Sequence, residues 1–188
     1  MALSLDPAKS ALLVMDFQVP IVENYVPEKE QLLSRTEAVL RQARAAGVPV
    51  IYVVVGFRPG FPEISPRNQT FSGLKARGGL DSTIHPRVAP LGEEPVVTKH
   101  RVGAFFGTDL DMLLRAKDVD TLVLTGIATS GVILSTLRHA ADADYRLVVL
   151  RDCCSDPDAE MHACLMDKVF PRQASVIDSK EFLAALGA

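Results

Sequence analysis

Four apolar runs in this 188-residue chain end on groups that can move a proton, attack a carbon or hold an anion. SALLVMD at 10–16 closes on Asp16, with Phe17 and Gln18 behind it. PVVTK at 95–99 closes on Lys99, with Arg101 just beyond. A third run leads into GIATS at 126–130, and a fourth reaches Asp152, Cys153 and Cys154. A carboxylate and an ammonium at neighbouring strand ends can pair in a partly buried cleft. Pairing holds both groups charged while burial opposes it, so their proton affinities can be tuned for acid–base work. An ordinary structural ion pair accounts for the same two residues.

The hydroxyls of Thr129 and Ser130 sit where a helix begins. One of them can serve as N-cap. The same N–H groups, at the positive end of the helix, can also form an oxyanion or carboxylate pocket, and the two roles are compatible. Cys153 and Cys154 have no His beside them in sequence, which argues against an activated thiol. Cys164 reads as core on the following helix. His85, His100, His139 and His162 show no paired metal-ligand spacing, so no metal is expected. His139 reads as a surface or interface residue. No glycine-rich dinucleotide fingerprint follows the first strand and no phosphate-binding loop is present, so no cofactor is expected.

These groups need a scaffold, and the apolar patterning supplies one. Strands are predicted at 10–16, 48–55, 95–99, 119–126, 145–152 and 174–178. Helices are predicted from Pro27 to about Ala46, at 107–117 with Thr108 or Asp109 as cap, from Ser130 to Ala143, around 157–169, and at 179–186. Residues 56–94 are rich in Pro, Gly and polar residues without a sustained period, the mark of a lid, substrate loop or dimer contact. Alternating strands and helices imply an α/β protein with a mostly parallel sheet covered on both faces. Ligands of such sheets sit beyond the C-terminal strand ends, where strand order reverses. That places the four groups above on the functional edge.

Length and the absence of any linker or repeat indicate one domain over 1–188. The 48% hydrophobic and 23% charged composition is that of a soluble globular protein. A net charge of -3 gives no reason to expect nucleic acid or an anionic membrane as partner. No apolar run approaches the roughly 20 residues that span a bilayer. The N-terminus does not read as a signal peptide. Three cysteines, two of them adjacent, make a poor disulfide framework and suggest a reducing cytoplasm.

Three stretches together carry a resemblance: ALLVMDFQ at 11–18, VVTKHRVGAFFGTDLDMLL at 96–114, and GIATSGVILSTLRHAADADYRLVVLRDCCSD at 126–156. In this order the chain resembles the isochorismatase-like, or cysteine hydrolase, superfamily over nearly its whole length. The resemblance implies a three-layer α/β/α fold with a six-stranded sheet in order 3-2-1-4-5-6, in a homodimer or larger homo-oligomer. It implies a catalytic triad of Asp, Lys and Cys, in which Asp16 and Lys99 match the first two. It further implies a cis peptide at Ile127–Ala128 and a small-molecule substrate pocket drawing on Gln18, Arg101, Phe106, Ile127, Ala128, Thr129 and Ser130.

The third triad position holds Val132, which cannot attack a carbon, donate a proton or bind a metal, so a thioester route is closed there. The Asp and His residues with which nicotinamidases bind metal after the second strand are also absent from GFRPGFPE at 56–63. A branch of the superfamily hydrolyses vinyl ethers by protonation and water capture, which requires an acid and a charge partner but no protein nucleophile. Arg58, Arg67, Arg77 and Arg101 are candidates to clamp a carboxylate substrate, although a solvated surface charge is the commoner use of each. Two function classes follow: a hydrolase using Asp16 and Lys99 without covalent catalysis, or a non-catalytic relative acting as small-molecule binder or oligomeric scaffold. Ser130 or Thr129 as substitute nucleophile is disfavoured, because neither occupies the cysteine's position.

Overall fold

A computed structural model describes residues 4–76 and 78–186. Six strands form one sheet: β1 (Ser10–Met15), β2 (Val50–Val55), β3 (Val96–Lys99), β4 (Thr121–Ile127), β5 (Arg146–Ser155) and β6 (Ser175–Ile177). Their order is β3-β2-β1-β4-β5-β6 and every adjacent pair is parallel. The expected three-layer arrangement and strand order are therefore observed. Chain order reverses at β1, which pairs with β2 on one side and β4 on the other. The crevice rule for such sheets points to the C-terminal ends of β1 and β4.

Alternation along β1 explains the two cores. Leu12 and Val14 join one apolar cluster, while Ala11, Leu13 and Met15 join another. Successive side chains leave a strand on opposite faces, so a continuous apolar run feeds both layers. Helices α2 (Lys29–Ala45) and α7 (Ser179–Leu186) cover the first face, with Leu33, Leu40 and Phe182 buried. Helices α4 (Leu110–Ala116) and α5 (Leu134–Asp142) cover the second, with Leu110, Leu114 and Leu137 buried. No helix of the described residues is long and apolar enough to cross a membrane.

Several boundaries differ from expectation. A short helix, α1 (Val19–Tyr25), precedes α2 and is separated from it by residues 26–28, of which Val26 has an extended backbone. Val26 lies before Pro27, and the residue before a proline is pushed out of the helical region. The 56–94 stretch contains α3 (Gln69–Ala76) and a single 3₁₀ turn (Pro86–Val88). Gly73 weakens the helical signal within α3. Thr108, rather than Asp109, accepts the Leu110 N–H at the start of α4 (3.3 Å).

β5 runs to Ser155 because its register with β4 shifts between Leu124 and Gly126. Cys153 and Cys154 thus lie within a strand, not where one leaves the sheet. Beyond it, the predicted helix divides into α6 (Ala159–Cys164) and a π-helical turn (Leu165–Val169).

Candidate active site

Asp16 is the residue after β1 and takes a left-handed backbone, with φ 59°. Aspartate tolerates that region better than most residues, yet the conformation is costly and turns the chain sharply at the sheet edge. Its N–H donates to the Val53 carbonyl at 2.8 Å, which anchors the turn to β2. Asp16 Oδ2 pairs with Lys99 Nζ at 2.9 Å, and the two side chains are 7% and 2% exposed. Lys99 Nζ also donates to the Arg101 carbonyl at 3.1 Å. Asp16 Oδ1 is buried without a partner. Burial pushes the Asp16 carboxyl up to about 6, against the smaller downward pull of Lys99.

The end of β4 lies beside this pair because Gly126 lets it. A Cβ at Gly126 would lie 2.6 Å from the Met15 carbonyl oxygen, too close for any side chain. The next peptide, Ile127–Ala128, is cis as expected. A π-helical turn (Thr129–Ile133) then leads into α5. On its front, Ala128, Gly131 and Val132 line a cavity together with Asp16 and Lys99. Its back is tied down by the loop after β5. The Ser130 N–H donates to Asp156 Oδ2 at 2.7 Å, and Thr129 Oγ1 lies 2.8 Å from His162 Nδ1. Burial, reinforced by Arg151, holds the His162 ring below the usual imidazole range. Neither Thr129 nor Ser130 caps the turn through its hydroxyl: Ala128 is the N-cap and makes no side-chain bond.

The cavity has a volume of about 420 Å³ and walls from α1, β2, α3, β4 and the π-helical turn. That size is typical of a small-molecule pocket. Asp16, Lys99, Ile127, Ala128 and Val132, all singled out in the sequence, meet on it. The remaining candidates do not. Gln18 is fully buried and its amide is spent on backbone: Nε2 donates to the carbonyls of Val55 (3.1 Å) and Asp81 (2.8 Å), and Oε1 accepts the Val55 N–H (2.7 Å). It clamps the cavity walls together instead of lining them.

Arg101 Nη1 donates to the carbonyls of Glu63 and His100, Phe106 is 70% exposed on the surface, Thr129 turns toward His162, and Ser130 is exposed. None of these four is part of the cavity wall. Arg58 pairs with Glu63 at 2.5 Å, and Arg67 is exposed away from the cavity. Arg77 lies outside the described residues.

The cysteines are not poised to react at this site. Burial raises the Cys153 thiol well above its ordinary range, with Asp152 adding to the effect, and pushes Cys154 up to about 12. Cys164 is exposed on α6 rather than in the core as expected. His139 is an exposed residue stacked on Phe105, with ring centroids 4.5 Å apart.

Sequence reasoning missed the individual wall residues Ile21 and Tyr25 on α1 and Phe71 and Leu74 on α3. It also missed the bracing pair Asp156 and His162. The length of the 56–94 segment was the only signal for α3, and none marked Asp156, whose role depends on a contact 26 residues away.

Comparison with known proteins identifies the family and the fold. Residues 10–181 match the isochorismatase domain family. The chain is 31% identical to the uncharacterized isochorismatase family protein YecD of Escherichia coli O157:H7, covering 98% of this chain and all of the relative. It is 30% identical to the ureidoacrylate amidohydrolase RutB of Methylobacterium radiotolerans, over 98% of this chain and 82% of that one. An isochorismatase family protein from Burkholderia thailandensis superimposes with a TM-score of 0.85 at 30% identity, over 98% of both chains.

Proposed function

The chain belongs to the isochorismatase family of hydrolases, and we propose that it hydrolyses a small organic substrate through Asp16 and Lys99 without a protein nucleophile. The observation that carries this reading is the half-satisfied carboxylate. Oδ2 is held by Lys99 at 2.9 Å, Oδ1 has no partner, and the residue lines a cavity of small-molecule size. A carboxyl brought up to about 6 is a base strong enough to matter near neutral pH, and its conjugate acid is readily available there.

In the proposed reaction, the Asp16 carboxylate removes a proton from a water molecule as the water oxygen bonds to the substrate's carbonyl carbon. The bond to the leaving group then breaks, and the leaving group departs with the proton that Asp16 returns. Lys99 fixes Oδ2 and stabilises the negative charge that develops on the substrate oxygen. Val132 closes the wall at the position where the resemblance places a cysteine, so water has to make the attack. Amides are a natural first class to test, given the amidohydrolase among the relatives.

The test is a panel of esters, linear and cyclic amides and vinyl ethers, run on wild type and on Asp16→Asn. General acid–base groups of this kind contribute about 10²–10⁴-fold in rate, and a loss of that order is expected. A substrate turned over equally by both proteins would refute the mechanism. Ligand binding that is unchanged in Asp16→Asn, with no turnover of any compound, would instead make the chain a binder. Assembly as a homo-oligomer in the cytoplasm belongs to the same proposal, and light scattering on the purified protein tests the first half of it.

A further inference from the structure

Building on the reading of this cavity as the substrate site, we infer that the group it takes is uncharged: a neutral carbonyl compound with a hydrocarbon body, not a carboxylate. Most of the wall is apolar, including Ile21, Val55, Phe71, Leu74, Val102 and Ile127. The two ionised residues that line it, Asp16 and Lys99, are bonded to each other and sum to zero charge. Among the described residues no arginine lines the cavity, and the nearby guanidiniums of Arg101 and Arg58 are engaged elsewhere.

A carboxylate entering this space would leave water for apolar surface and meet the like charge of Asp16 on the cavity wall. Burying an ion costs several kcal/mol unless a counter-ion and hydrogen bonds replace its water. Lys99 already has Asp16 as its counter-ion, so its charge is balanced before any carboxylate arrives. A neutral amide or ester loses much less on entry, and its hydrocarbon part gains from the apolar walls. Polar contact at the mouth comes from Gln69 and Thr70 on α3, both uncharged and exposed. These neutral groups can steer an amide or hydroxyl but cannot balance an anion. The substrate would then differ from the acrylate named for the amidohydrolase relative, although fold and ion pair are shared.

Benzamide and benzoate make a matched pair of probes, alike in shape and differing in charge. Their binding to the full chain is measured by titration calorimetry at pH 8, where Asp16 is ionised. Benzamide is expected to bind at least tenfold tighter than benzoate. Leu74→Arg, which puts a cation into the wall, is expected to shrink or reverse that preference.

Benzoate binding as tightly as benzamide to the wild type overturns the inference. Binding of neither probe overturns it as well. Benzamide preference without turnover of any panel compound would sink the hydrolase reading and leave this one standing. Turnover confined to carboxylate substrates would do the reverse.

Discussion

Lys99 meets Asp16 at 2.9 Å although the strands that carry them are not neighbours. β2 lies between them, and Val55, the residue in register with Lys99, forms part of the cavity wall that the lysine side chain passes. Parallel strands stand about 4.8 Å apart, so the ammonium crosses roughly two strand spacings to reach its partner. Only a side chain as long as lysine or arginine covers that distance. The pair therefore records the order β3-β2-β1 as much as it records chemistry.

The first consequence concerns pH. A base must be ionised to act, and burial has moved Asp16 up to about 6. For the proposed water attack, kcat/KM should rise with pH through about 6 and level off above it. A pH–rate profile on any substrate found in the panel checks this. A profile that falls above pH 6 would mean that the protonated acid acts first, as in vinyl ether hydrolysis.

Stability should move in the opposite sense. A carboxyl whose pKa is raised on folding holds its proton more tightly in the folded state. Its contribution is fully present below the ordinary value of 3.8 and is lost as pH rises through about 6. At pH 8 the fold carries a buried charge that depends on Lys99. Lys99→Met alone strands that charge and should cost ~3–5 kcal/mol in urea unfolding at pH 8. Combining it with Asp16→Asn removes both charges while keeping a residue that tolerates the left-handed backbone. The double variant should recover most or all of the lost stability but no activity. A double variant as unstable as the single one would show that the pair is a net stabiliser.

Asp156 acts through the turn and not on substrate. Its Oδ2 accepts the Ser130 N–H, and its Oδ1 accepts the Asp158 N–H at 3.1 Å, so one buried carboxylate ties the loop after β5 to the π-helical turn. Asp156→Ala should cost ~1–3 kcal/mol. It should also lower kcat more than it raises KM, since Ala128 and Val132 shift relative to Asp16. Asp156→Asn, which retains an acceptor oxygen, should restore much of both. Equal stability loss with unchanged kcat would reduce Asp156 to a purely structural role.

Thiol chemistry tests whether this chain works without a reactive cysteine. Of its three cysteines, only Cys164 is exposed. A chromogenic thiol reagent should titrate one thiol per native chain and three after denaturation. Iodoacetamide treatment of a Cys164→Ser variant should leave activity intact. Inactivation of that variant would place an essential thiol at Cys153 or Cys154 and refute the water-attack mechanism.

The sequence by itself determined the layered parallel fold and its strand order, because buried strands and amphipathic helices announce themselves through local apolar periodicity and matched family motifs. It also placed Asp16, Lys99 and Val132, each of which follows or ends an element whose period is readable. Tertiary structure alone decided which neighbouring polar groups face the cavity. Gln18, Arg101 and Thr129 have suitable chemistry and lie close in sequence, yet each satisfies a backbone or side-chain partner elsewhere. Such pairing is settled by contacts between segments tens of residues apart, such as Gln18 with Asp81 and Thr129 with His162. The cavity's apolar character was hidden for the same reason: its walls come from α1 and α3, two short helices that owe their place to packing and not to a strong local pattern.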